Sequence, residues 1–211
     1  MNRPLRAPAV SLGVAYFASI GLLGALLGST ADASTAFEVH FSSDAQVILD
    51  GIGGLGLIFT STMLIWLMIA MRAEITDQHQ RTRRDLATAF VLVSAAGLLA
   101  AAGQLLTVPF TRALGAITGD TGIEIGVQAG IAQAGSVTLF VAVIPLAIAV
   151  VLIGKIGRST GILPRWVSVT AWIVAVLLFL GWTVGLLLPF GLWSIALGLT
   201  WKRQGPDSTP S

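Results

Sequence analysis

The sequence predicts an all-α membrane protein: six transmembrane helices in one bundle, with the N- and C-termini both cytoplasmic. Three observations carry that expectation. The first is composition. Only 10% of the 211 residues are charged and 55% are hydrophobic, with a mean hydropathy of +0.88, whereas soluble domains carry about 25% charged residues. So few charges cannot cover a water-facing surface. The second is the stretch 166–201, which holds 36 residues and no formal charge. As one straight helix it would run ~54 Å at 1.5 Å per residue, against a hydrocarbon slab ~30 Å thick. It is therefore expected to fold back, returning Lys202 and Arg203 to the side of Arg165. The third is the placement of charge. Six spans leave eleven of the twelve basic residues inside, with Arg112 alone outside beside six of the ten acids. The positive-inside rule asks for this asymmetry, and a five-span reading would put Lys202 and Arg203 on the wrong face.

The first span covers about residues 10–28, after Arg3 and Arg6. Gly24 and Gly28 share one helix face and suit a close helix neighbour. Ala31-Asp32-Ala33 looks like a signal cleavage site, but signal cores are ~7–15 residues long. This run is longer, so a retained anchor is expected. An acidic outer stretch follows, with Asp32, Glu38, Asp44 and Asp50. Ser43 and Gln46 fit a capping box, starting a helix that crosses the membrane over 52–71. Gly51, Gly53 and Gly56 spell G-x-G-x-x-G, with Glu74 18 residues beyond. That fingerprint binds dinucleotides only between a strand and a helix. Inside an uncharged run it is read as helix packing.

The loop 72–85 holds Arg72, Arg81, Arg83 and Arg84 against Glu74, Asp77 and Asp85. It reads first as a topology signal, and alternatively as an anionic-lipid or partner site. The third span, 86–106, is rich in alanine. Gln104 is its one strongly polar side chain; it either pairs with another helix or marks the outer end. Residues 107–136 form the longest outer segment, punctuated by Pro109 and Gly115. Thr121 and Glu124 make a second capping box. The helix they start is expected on the membrane surface, or as added turns on the fourth span, 136–154. Pro145 should kink that span. Lys155, Arg158 and Arg165 then form a basic loop without an acid, and Pro164 suits the first turn of the next helix.

The fifth span runs over 166–181, with an outer turn at 181–185. Nine residues of 166–180 are Val, Ile, Leu or Phe, favouring insertion by roughly 3–5 kcal/mol. The sixth runs over 185–201, with Pro189 near its outer end. Residues 1–203 thus make a single domain, and the tail 204–211 is expected to be disordered.

The chemistry is sparse. The chain has no cysteine, which removes disulfides, thiolate metal sites and a cysteine nucleophile. Its two histidines, His40 and His79, lie outside the apolar runs, so a haem held by paired histidines is not expected. No expected span has an ionisable residue in its middle, which counts against ion-coupled transport. No zinc signature, P-loop or serine elbow is present. No catalytic, cofactor-binding or metal-binding residue is therefore assigned. Ligand or lipid contacts fall to Arg112, Asp120, Glu124 and Gln104. Arg112, in VPFTRALG, either grips an anionic headgroup or snorkels. Asp120 and Glu124, one turn apart, either meet a cation or substrate or serve as loop acid and helix cap. The partners expected are the lipid bilayer and a second copy or another membrane subunit. Nucleic acid is not among them, because the basic residues are strung along one side of the bundle.

Four stretches carry a resemblance: GILPRWVSV, LLLPFGLWSIALGLTWKR, FSSDAQVI and WLMIAMRAE. In layout the chain resembles uncharacterised bacterial six-helix integral membrane proteins of the domain-of-unknown-function type. The resemblance implies a multi-pass protein of a bacterial inner (plasma) membrane and supplies no catalytic residue. The leading expectation is a non-enzymatic protein acting through helix packing with lipid or membrane partners. One alternative is a carrier or exporter of a small neutral or lipophilic compound in a cavity between helices. Carriers often show internal repeats, and spans 1–3 show no clear match to spans 4–6. The other alternative is a lipid-modifying enzyme using Asp120 and Glu124.

Overall fold

A computed structural model describes residues 5–27, 43–75, 78–118, 125–180 and 187–201. The described residues form six α-helices and one short 3-10 turn, Gln78–Gln80. The helices are α1 (Arg6–Leu27), α2 (Asp44–Glu74), α3 (Arg81–Thr118), α4 (Ile125–Ser159), α5 (Arg165–Phe179) and α6 (Leu188–Thr200). With the 3-10 turn they account for 93% of those residues, and no strand occurs among them. Each helix packs on its neighbours in sequence, and α1 also closes on α6. Tyr16, Leu57, Leu64, Leu98, Leu146 and Phe190 are the large side chains buried at the centre.

Three helices are long and apolar enough to cross a membrane: Asp44–Glu74, the combined stretch Gln78–Thr118, and Gly126–Ser159. At 1.5 Å per residue α2, α3 and α4 run ~46, ~57 and ~52 Å, well beyond the ~30 Å slab. By contrast α5 and α6, with 15 and 13 residues, reach only ~22 and ~20 Å. Both are apolar helices at the positions expected for the fifth and sixth spans. The turn expected at 181–185, the tail, Gly28 and the acids Asp120 and Glu124 lie outside the described residues.

Two expectations are corrected. The helix expected to end near 106, before an outer segment punctuated by Pro109 and Gly115, instead continues through both to Thr118. Proline has no N–H to give the Leu105 carbonyl, a loss that breaks many helices. Here packing compensates: Pro109 rests against Gly51 of α2, where a Cβ would lie 3.4 Å from it. Thr111 also donates back to the Thr107 and Val108 carbonyls at 2.9 Å each. The second correction concerns the start of α2. Ser43 is its N-cap residue, as the capping box requires, but its side chain makes no cap hydrogen bond, and the Gln46 Oε1 is buried without a partner among the described residues. The position is right and the mechanism is not. The fourth span takes the longer of its two expected forms, and α4 passes through Pro145 in one piece.

Small residues set the helix spacings. The G-x-G-x-x-G run lies wholly within α2, and Gly51 and Gly56 of it face neighbouring helices. A Cβ on Gly56 would collide with the Ser19 side chain of α1. At the α1–α6 crossing, a Cβ on Gly13 would strike the Gly191 carbonyl and come within 2.6 Å of Ile195, and one on Gly198 would meet Ala9 at 2.9 Å. These backbones touch, which only residues without bulk permit.

Candidate functional site

The antiparallel register of α2, α3 and α4 gathers polar groups at the two ends of the bundle. Gly54 faces Ala102 and Leu106, Gly97 faces Ala142, and Gly135 faces Gln104. That register brings Asp44, Arg112 and Gln128 together at one end. At the other it places Arg72 and the Arg81–Asp85 turn beside the end of α4.

Arg112 ties three helices. Its Nη2 donates to Gln128 Oε1 of α4 at 3.0 Å, and its Nη1 to Asp44 Oδ1 of α2 at 3.4 Å. Gln128 is 4% exposed, so a charged donor satisfies a buried amide, an interaction worth about 1.5–3 kcal/mol. The Asp44 side chain is 94% exposed and the Arg112 side chain 26%, so that ion pair contributes well under ~1 kcal/mol. Asp50, two turns along α2, is also buried and engaged. Gln104 lies two turns below Arg112 on α3, and its Oε1 is buried without a partner among the described residues. The four contact residues expected from sequence thus divide. Arg112 joins a polar cluster, Gln104 stands apart from it, and Asp120 and Glu124 lie outside the described residues. Gln128 and Asp44 were not singled out by sequence. The signal was present, since the lone cation on its side needs acceptors nearby.

At the opposite end Asp85 receives three arginines. Arg84 lies 3.4 Å away, Arg72 3.5 Å and Arg81 3.9 Å. Arg84 also donates to the Ile75 carbonyl at 2.8 Å, which closes the α2–α3 corner. This charged loop is largely engaged with itself. The α4–α5 corner differs. Among the described residues no acid pairs with Lys155, Arg158 or Arg165, and Lys155 Nζ sits 5.1 Å from the Trp172 ring centroid, at cation–π distance.

Between the ends the surface is apolar. A groove of about 610 Å³ runs between α1 and α2, lined by Val10, Val14, Ala15, Leu55 and Phe59 among others. Hydroxyls of α1 and α2 are returned to their own helices: Ser19 to Ala15 at 2.7 Å, Thr60 to Gly56 at 2.8 Å, Ser61 to Leu57 at 2.9 Å. Back-bonding of this kind hides polarity inside a helix. The buried hydroxyls of Tyr16, Ser94 and Ser194 have no partner among the described residues. No group of three or more metal-ligating side chains forms among the described residues. The chain matches no protein-family model, no curated protein and no solved structure.

Proposed function

We propose that this chain is a non-enzymatic, multi-pass protein of a bacterial inner membrane that acts by packing its helices against lipid or other membrane proteins. One observation supports the reading above others. Charged side chains collect at the two ends of α2–α4 and are mostly engaged with one another, while Phe59, Ile69, Val93, Val141 and Ile148 stand exposed along the middle. A surface of this kind suits hydrocarbon on all sides. The proposed threading is six crossings with both termini in the cytoplasm, because Arg72, Arg81, Arg84, Lys155, Arg158 and Arg165 share one end. It is the layout of the uncharacterised six-helix proteins that the sequence resembles. A reporter fused after Ser211 should be active only in the cytoplasm; periplasmic activity would refute the threading. Crosslinking in native membranes should trap a species heavier than the monomer, and recovery of monomer alone would refute the packing role.

The groove between α1 and α2 favours a second reading, a carrier of a small lipophilic compound. The helix lengths argue against it: α1–α3 have 22, 31 and 38 residues and α4–α6 have 35, 15 and 13. Those halves do not repeat, as carrier halves often do. Flux of a neutral solute in proteoliposomes would reverse the preference.

A further inference from the structure

The four basic residues of the α2–α3 corner and the three of the α4–α5 corner stand at the same end of the bundle in different chemical states. At the first corner Asp85 draws in Arg72, Arg81 and Arg84, and Arg83 donates to Gln80 at 3.3 Å. At the second, Lys155, Arg158 and Arg165 meet no acid among the described residues. Among the described residues these three cations at one corner have no acidic counter-charge, so an external anion there would be attracted by all of them.

The corner that holds them is built, not loose. Thr160 N–H donates to Ile156 O at 3.0 Å, and Leu163 N–H to Gly157 O at 3.1 Å. Gly161 turns the chain at φ +68°, a conformation that only glycine adopts without cost. Leu163 packs where a Gly157 side chain would be. Lys155 and Arg158, three apart, lie on one face of α4. Arg165 and Trp172, seven apart, lie on one face of α5. The contact of Lys155 with Trp172 shows that those two faces meet.

Beside the cations runs an exposed apolar strip on α5. Trp166 is 55% exposed and Trp172 50%, and Val169, Ile173 and Val176 are exposed with them. Tryptophan and lysine together mark the headgroup level of a bilayer. A free phosphate or an acidic peptide would meet the cations alone. A phospholipid accounts for both.

We propose that the α4–α5 corner is a binding site for an anionic phospholipid. Lys155, Arg158 and Arg165 hold its phosphate, and an acyl chain lies along Trp172, Ile173 and Val176. This inference rests on the membrane reading above and adds the lipid class and its residues. The test is native mass spectrometry of the full chain from micelles containing equimolar phosphatidylglycerol and phosphatidylcholine. The unmodified protein should retain phosphatidylglycerol preferentially. Each basic residue near an anionic surface contributes about fivefold, so the Lys155→Gln, Arg158→Gln, Arg165→Gln variant should lose the preference by roughly a hundredfold. The Arg72→Gln, Arg81→Gln, Arg83→Gln variant removes the same charge and should keep it. Lys155→Arg with Arg158→Lys and Arg165→Lys should also keep it, which controls for folding. Equal losses in both glutamine variants, or no preference in the unmodified chain, would overturn the site. So would displacement of the lipid by inorganic phosphate or capture of an acidic peptide in its place. A chain that fails to enter bilayers at all would instead overturn the membrane reading.

Discussion

The α1–α6 crossing and the Arg112 cluster hold helices together by opposite means. At the crossing, Gly13, Gly191, Gly198 and Ala9 bring two backbones into close approach. At the cluster, one long side chain reaches across three helices to find Gln128 and Asp44. The difference follows the surroundings each would have. Within hydrocarbon there is no hydrophobic drive between helices, so closeness of approach does the work. Near the polar margin, separation is tolerated and a charged side chain bridges it.

The first way to break this comparison is Gly13→Leu. The added bulk meets the Gly191 carbonyl, which cannot yield as a side-chain tip would. Overpacking of this kind costs ~3 kcal/mol or more. We expect loss of monodisperse protein on size exclusion, and a well-folded variant would show that the crossing is not closely packed. Next is Arg112→Ala, which leaves the buried Gln128 amide without its charged donor. A loss of about 2 kcal/mol is expected in detergent unfolding. A neutral result would reduce the cluster to a surface contact. An intermediate case sharpens the contrast. Trp193 Nε1 donates to the Val167 carbonyl at 3.1 Å, a buried side-chain bond between α6 and α5. Trp193→Phe keeps most of the ring and should cost about 1 kcal/mol. The smallest effect is expected from Asp44→Ala, at or below ~0.5 kcal/mol, because that carboxylate is almost wholly in the open. If Asp44→Ala matched Arg112→Ala, the cluster would draw its strength from the ion pair and not from the buried amide.

Much of the fold was legible because its signals are local. The start of α2 after Ser43, the glycine run in α2 and the bounds of α5 follow from composition and spacing. What escaped depends on partners distant in sequence. Pro109 is a breaker by its own chemistry, yet α3 continues through it where it packs beside Gly51 of another helix. The Arg112–Asp44 contact joins residues 68 positions apart. It depends on how α2 and α3 are rotated, and helices apolar on every side carry no amphipathic stripe to fix rotation in advance. The candidate site was legible to the same degree. Arg112 stood out as a lone cation, but its acceptors needed the register of three helices.

The unequal helix lengths have a consequence for the surrounding lipid. In a bilayer, α3 with 38 residues and α6 with 13 would show tall and short walls on one perimeter. Lipids beside the short wall must compress, at a fraction of a kcal/mol per Å. The protein would then prefer membranes, or regions of one membrane, whose thickness relieves that strain.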